Sequence, residues 1–422
     1  MPLTLLVLLL ALSTAIGIWL SFRQGRHVHG RRGAVPADFA GAVSLEDHAK
    51  AADYTLAKQK LAIFGALWGL AVTLAWLFFG ITALHDLVGQ FSATPLWAGT
   101  SLILAMIVIS GVIDIPLDVV KTFGIETKFG FNRISPRLFA MDWAKGVLLN
   151  LLLGTPLIYG LLWLIGGMSG LWWLWAWAGF LIFTGTLMAV YPIWIAPLFN
   201  KFKPLPDGEV KTRVETLLAK AGYRSGGLFV MDGSKRSSHA NAYFTGFGRT
   251  KRIVFFDTLL AKLTPDETEA VLAHELGHFH HRDTIRSIAR LAAVSLIVFF
   301  WLGVAVKQPW FTAWMGLPAS DAVAIIVAMI CIGPVGLVFA PLTNWVSWKA
   351  EWRADAYAVA LTGGGGHLSS ALVKLSRDSA STLTPDPLFA RFHYSHPPLP
   401  LRLARLHGQP QPAGRPLGAS GF

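Results

Sequence analysis

Seven stretches of this chain, near residues 3–20, 61–82, 97–119, 146–166, 171–194, 286–306 and 321–345, are almost wholly apolar. Roughly 20 such residues are what a helix needs to cross a hydrocarbon core about 30 Å thick. Backbone in lipid finds no water to bond, so runs of this kind fold as helices. The fold class that follows is mainly α, a polytopic membrane protein with about seven transmembrane helices. At 54% hydrophobic and 14% charged residues the chain is too apolar for an ordinary soluble enzyme. Its 17 Trp suit the lipid–water boundary. The first run has no basic residue before it, and Arg23, Arg26, Arg31 and Arg32 follow it. It therefore reads as an uncleaved span and not as a signal peptide. Gly333-Pro334 and Pro341 interrupt the last run and predict a kink there.

Loop charge sets an expected orientation. The loops at 23–60, 120–145 and 195–285 and the tail after 346 carry almost all the Lys and Arg. The loops at 83–96 and 167–170 carry none, and 307–320 has only Lys307. The positive-inside rule then puts the N-terminus outside and the C-terminus in the cytoplasm. A formal net charge of +12 raises the question of nucleic acid. No basic stretch is interleaved with stacking aromatics as such sites require, so no nucleic-acid partner is expected. The charge is read instead as topology and contact with anionic membrane lipids. A single cysteine, Cys331, rules out an internal disulfide and reads as a packing residue. Asp114 and Asp118 flank Pro116 near the end of the third span. Intramembrane carboxylates are often functional, yet interfacial solvation or helix capping accounts for this pair equally well.

The chemistry concentrates in Val271-Leu-Ala-His-Glu-Leu-Gly-His-Phe-His-His281. Thr264 as N-cap, Pro265 at the first helical position and Glu267 in a capping box mark a helix start. His274 and His278 are four residues apart, so a helix puts both imidazoles on one face, where they can take two corners of a tetrahedral zinc site. Glu275 is placed to act as general base toward a metal-activated water. Gly277 leaves room for a close approach. The competing reading is a chance match, since the pattern fixes few positions. A third ligand is needed, and Glu351 is the best downstream candidate, on a helix expected over 347–361 where Asp355 shares its face. A solvated acidic face is the bland alternative. The Gly363–Gly366 run lacks the Lys-Ser/Thr and preceding strand of a phosphate loop.

Around this helix the chain divides into 1–194 with spans one to five, and 195–285 with a protease segment carrying the zinc helix. Spans six and seven (286–345), a C-terminal part completing the zinc site (346–407) and a disordered Pro/Gly-rich tail (408–422) follow. Within the protease segment, 208–221 reads as an amphipathic helix and 227–231 and 251–256 as strands, with a third strand at the end of 234–247 and a hairpin at Gly246/Gly248. Asn241, Tyr243 and Phe244 lie on that third strand. An exposed edge there could bind an extended peptide by strand addition, with Asn241 nearest the metal, or it could simply support the zinc helix.

Several separated motifs agree in order: Lys128-Phe-Gly-Phe-Asn-Arg133, Pro197-Leu-Phe-Asn-Lys201, Met231 through Phe244, Lys251 through Leu259, the zinc helix, Glu351-x-x-x-Asp355 and His396-Pro-Pro. By these the chain resembles the integral-membrane zinc metallopeptidases called type 1 CAAX prenyl proteases. The resemblance implies seven transmembrane helices around a water-filled chamber, with a cytoplasmic zinc-protease domain containing a small β-sheet. It implies one zinc per chain on His274, His278 and Glu351, with Glu275 activating water. It further implies Asn241 beside the substrate backbone, His396 supporting the developing oxyanion, and Arg402 paired with Asp355. The expected substrate is a membrane-associated polypeptide, with or without a lipid group. Compact loops suggest a bacterial member in the cytoplasmic membrane. Two other readings compete: a heat-shock-type membrane metalloprotease with fewer spans, and a transporter or receptor with a structural zinc. Five candidate spans before the zinc helix count against the first. The second would need four protein ligands, whereas His-His-Glu leaves a corner for water.

Overall fold

In the computed structural model, residues 2–168, 170–223, 226–245 and 252–408 are described. Seven helices are long and apolar enough to cross a membrane: α1 (Pro2–His29), α2 (Leu45–Phe91), α3 (Pro95–Phe129), α4 (Pro136–Gly167), α5 (Trp172–Leu198), α8 (Asp283–Ala305) and α9 (Asp321–Thr362). Each contains one of the seven apolar runs. Six of them bury less than a fifth of their most apolar window, against 39% for α9. The exposed remainder is apolar surface of the kind that lipid covers in a membrane protein. Leu6, Leu10, Ile81, Leu102, Ile165 and Ile326 form the core at one end, with Cys331 packed against it as expected. Asp114 and Asp118 are exposed on α3.

The last span and the helix expected over 347–361 are one element. α9 runs unbroken through Pro334 and Pro341 for 42 residues, because a proline in a membrane helix forfeits one backbone bond that its surroundings can offset. Glu351 therefore rides on the extension of a transmembrane helix.

Between α5 and α8 lie β1 (Phe202–Pro204), α6 (Glu209–Lys220), β2 (Leu228–Met231), β3 (Ala242–Thr245), β4 (Arg252–Phe256) and α7 (Pro265–His280). The sheet order is β1-β2-β4-β3. β2 runs parallel to β4, with Leu228 opposite Ile253, and β3 runs antiparallel to β4, with Tyr243 opposite Val254. β1, which the sequence does not announce, pairs with β2. β3 is an edge strand, as the strand-addition reading requires. The proposed turn at Gly246/Gly248 and the tail after 408 lie outside the described residues. Ile253, Phe255, Val214, Leu217, Ala270, Ala273 and Leu276 bury α7 against the sheet, α6 and α9. After α9 come α10 (Gly366–Asp378), α11 (Pro387–His393) and α12 (Leu399–Leu406).

Candidate metal centre

The start of α7 is held as its sequence suggests. Thr264 Oγ1 accepts from the Glu267 N–H at 3.3 Å, and Glu267 Oε2 accepts from the Thr264 N–H at 2.9 Å. Glu267 is 4% exposed in its side chain and also accepts from Ser370 and Lys374 on α10. Burial works against its charge, but those bonds win and hold its pKa down at about 2. The cap thus joins α7 to α10. At Gly277 the room in the sequence is taken by α9: a Cβ there would lie 2.7 Å from Ala354 Cα and 3.0 Å from its carbonyl oxygen. The two helices touch backbone to backbone at the site.

That contact brings the donors together. His274 Nε2 is 3.4 Å from Glu351 Oε2, and His278 Nε2 is 3.3 Å from Glu351 Oε1. All three residues offer a ligand atom within 4.8 Å of the others. Donors about 2.1 Å from one ion at tetrahedral angles are spaced roughly 3.4 Å apart, so the set fits a small divalent cation. Glu351 Oε2 is buried without a hydrogen-bond partner among the described residues, with Arg402 Nη1 3.6 Å away, and a cation would give it the close partner it lacks. The far nitrogens are already committed: His274 Nδ1 faces Asp355 Oδ1 at 2.9 Å and His278 Nδ1 faces Asp283 Oδ2 at 3.1 Å. Carboxylates in those positions fix the tautomer that leaves Nε2 free to ligate. Burial opposes protonation of His274, but the Asp355 and Glu351 carboxylates beside it prevail and push its pKa up to about 9. His278 is raised in the same way, chiefly by Glu351 acting against burial. The centre is electrostatically set to hold positive charge.

Arg402 completes the support. It is 7% exposed and clasps Asp355 with both arms, Nε to Oδ2 at 3.0 Å and Nη2 to Oδ1 at 2.6 Å. The pairing expected from sequence is present. Asp283 was not anticipated. It opens α8 directly after Arg282, whose φ of 55° reverses the chain, and Arg353 on α9 holds its Oδ1 at 2.8 Å. The only signal in the sequence is an Asp five residues after His278.

A cleft of about 140 Å³ opens on this cluster and is lined by Asn241, Ala242, His274, Glu275, Glu351 and His396, among others. Burial raises the pKa of the Glu275 carboxyl against the pull of the two histidines, the direction that suits a general base. His396 Nε2 lies 3.4 Å from Glu351 Oε1. Its segment is pinned to α9, because Trp348 Nε1 donates to the Tyr394 carbonyl at 2.8 Å and Asn344 donates to that of Arg391 at 2.9 Å. Asn241 sits at the start of β3, where its carbonyl accepts from the Phe256 N–H at 3.0 Å. Tyr243 and Phe244 are not among the residues that line the cleft. Tyr243 packs edge-on to Phe256, and Phe244 tilts against Phe279.

Comparison with known proteins now bears on this geometry. Residues 24–201 match the family model described as CAAX prenyl protease N-terminal, five membrane helices, and residues 204–409 match Peptidase family M48. The chain is 33% identical to CAAX prenyl protease 1 homolog of Arabidopsis thaliana, over 89% of this chain and 91% of that one. It is 31% identical to CAAX prenyl protease 1 of Saccharomyces cerevisiae, over 92% and 91%. The chain belongs to the CAAX prenyl protease 1 family of M48 peptidases. The crystal structure of S. mikatae Ste24p is similar to this M48 peptidase, with a TM-score of 0.90 at 29% identity, over 96% of this chain and 99% of that one. The chain is thus a multi-pass membrane metallopeptidase acting on polypeptides, and the readings as a protease with fewer spans or as a transporter are set aside.

Proposed function

We propose that this M48 peptidase holds one zinc ion through His274, His278 and Glu351 and hydrolyses peptide bonds of membrane-associated polypeptides. The observation that carries the reading is the convergence of that donor set with Glu275, Asn241 and His396 on one cleft. A zinc ion held there would supply Lewis-acid polarisation of water and of the scissile carbonyl. Glu275 takes the proton from the attacking water and hands it to the leaving amine. His396 donates toward the carbonyl oxygen as that atom gains charge, and Asn241 binds the backbone beside it. Asp355, gripped by Arg402, keeps His274 in its ligating tautomer.

The substrate lies extended along the free edge of β3, bonded through its main chain. Tyr243 and Phe244, packed against Phe256 and Phe279, would shape that edge while the β3 backbone makes the contact. The relatives are named for CAAX processing. For this chain the substrate class is a membrane-associated polypeptide with or without a prenyl group, and no nucleic acid is involved. Loop charge supports an N-terminus outside and a protease segment and C-terminus in the cytoplasm, and the compact loops between the spans are the support for a bacterial cytoplasmic membrane. The test is Glu275→Gln in purified protein. It should retain about one zinc per chain by elemental analysis and lose peptide turnover. Turnover at the wild-type rate would refute the mechanism.

A further inference from the structure

Where α1 ends, a cleft of about 400 Å³ lies far along the chain from the metal ligands, lined by Trp19, Phe22, Arg23, Arg26, His27, Arg31 and Asp386. Its wall changes character within two helical turns. Trp19 and Phe22 are 52% and 57% exposed, and Arg26 follows Trp19 by seven residues, on the same helix face. Three guanidinium groups meet one carboxylate. Asp386 is already committed: it accepts from Arg23 Nε at 2.9 Å and caps α11 through the N–H groups of Leu388 and Phe389. Arg32, just outside the cleft, has Asp53 at 2.7 Å. Among the described residues, neither Arg26 nor Arg31 has a carboxylate within ion-pair distance, and Arg31 reaches only the His27 carbonyl at 3.4 Å. Two positive charges are left facing a cavity whose other side is aromatic and exposed, at the end of a membrane span.

We propose that this cleft binds one anionic phospholipid. Its phosphate would lie between Arg26 and Arg31, and its acyl chains would run along Phe22 and Trp19. Guanidinium groups match phosphate oxygens in pairs, and exposed aromatics at the end of a span sit at headgroup depth. The shared chemistry with free phosphate is the anion. The aromatic wall selects the lipid, since inorganic phosphate gains nothing from it. Asp386 keeps Arg23 oriented and lets the site form without a bound ligand.

The test uses the full chain in phosphatidylcholine nanodiscs containing a minor fraction of phosphatidylglycerol, with retained lipid counted by native mass spectrometry. Wild type should keep about one phosphatidylglycerol per chain. Arg26→Gln/Arg31→Gln should bind it roughly thirtyfold more weakly, about fivefold per guanidinium removed. A control that removes the same charge elsewhere, Lys60→Gln/Arg137→Gln, should bind like wild type. Trp19→Ala, which leaves every charge in place, should also weaken retention. Equal loss in the two double variants would show general attraction to an acidic surface and overturn the site. So would full retention in Arg26→Gln/Arg31→Gln. Displacement of the lipid by millimolar inorganic phosphate would overturn the lipid assignment.

Discussion

Replacing Gly277 with Ala tests whether the contact between α7 and α9 sets the metal centre. On an isolated helix the change should help, since Ala is favoured over Gly by about 1 kcal/mol in a helix interior. Here the added Cβ would meet Ala354 Cα at 2.7 Å, its carbonyl oxygen at 3.0 Å and its Cβ at 3.1 Å. The nearest neighbour is backbone and cannot rotate away. Reaching an ordinary contact of 3.4 Å requires the helices to part by about 0.7 Å. Overpacking of this kind costs about 1–3 kcal/mol, so the net effect on stability runs from near zero to about 2 kcal/mol of loss. The metal should feel it more directly. His274 and His278 ride on one helix and Glu351 on the other, three residues before Ala354. Ligand geometry tolerates only about half an ångström of displacement. A strain of about 1.4–3 kcal/mol in the bound state converts to a tenfold to hundredfold loss of affinity. Competition with a zinc-buffering chelator, beside a thermal melt in the same detergent, reads both quantities. Wild-type zinc affinity in Gly277→Ala would refute the argument that this contact positions Glu351.

If Asn241 binds the backbone beside the scissile carbonyl as proposed, and that contact tightens as the carbonyl gains charge, Asn241→Ala should lower kcat about a hundredfold with little change in KM; a change confined to KM would move Asn241 out of the transition state. Glu267 has its pKa held at about 2, below its unfolded value near 4.5, so it adds stability above pH 4.5 that is lost as pH falls toward 2. The shift corresponds to about 3 kcal/mol. Glu267→Gln should therefore melt well below wild type at pH 7 and approach it at low pH, and a gap in Tm that ignores pH would refute the ion pair with Lys374. On a Cys331→Ser background, a cysteine at Ser92 should label in intact cells, while one at Ser237 or Ser379 should label only after the membrane is opened; labelling of the Ser237 position from outside would reverse the orientation.

The parts legible in the sequence were those governed by local rules. Run length located all seven candidate spans, and the Thr264–Glu267 box, the i, i+4 histidines and the β-branched and aromatic runs of β2 and β4 needed only nearest-neighbour physics. The misses are non-local. The sequence separates a last span over 321–345 from a helix over 347–361, and their fusion into one element depends on neighbours that satisfy the backbone around Pro334 and Pro341. β1 is three residues ending in Pro204 and forms only because β2 offers it an edge. Asp283 reaches His278 because Arg282 adopts a left-handed conformation, an uncommon choice for a non-glycine residue that its sequence does not signal. The strand character of Tyr243 and Phe244 was readable, but their partners Phe256 and Phe279 depend on how the sheet meets α7.

That α9 is a single element changes what holds the centre. Within five residues it supplies Glu351 of the proposed donor set, Asp355 against His274, and Arg353, which secures Asp283 against His278. Both histidines of α7 are thus oriented by groups that α9 supplies or holds, while Gly277 lets the two backbones close to contact. Had the stretch after Pro341 been a separate cytoplasmic helix, the third ligand could have shifted independently of the membrane spans. Because the helix is continuous from Asp321 to Thr362, the position of Glu351 is coupled to how the last span is seated. The metal centre is therefore assembled by the same helix packing that builds the membrane part of the protein.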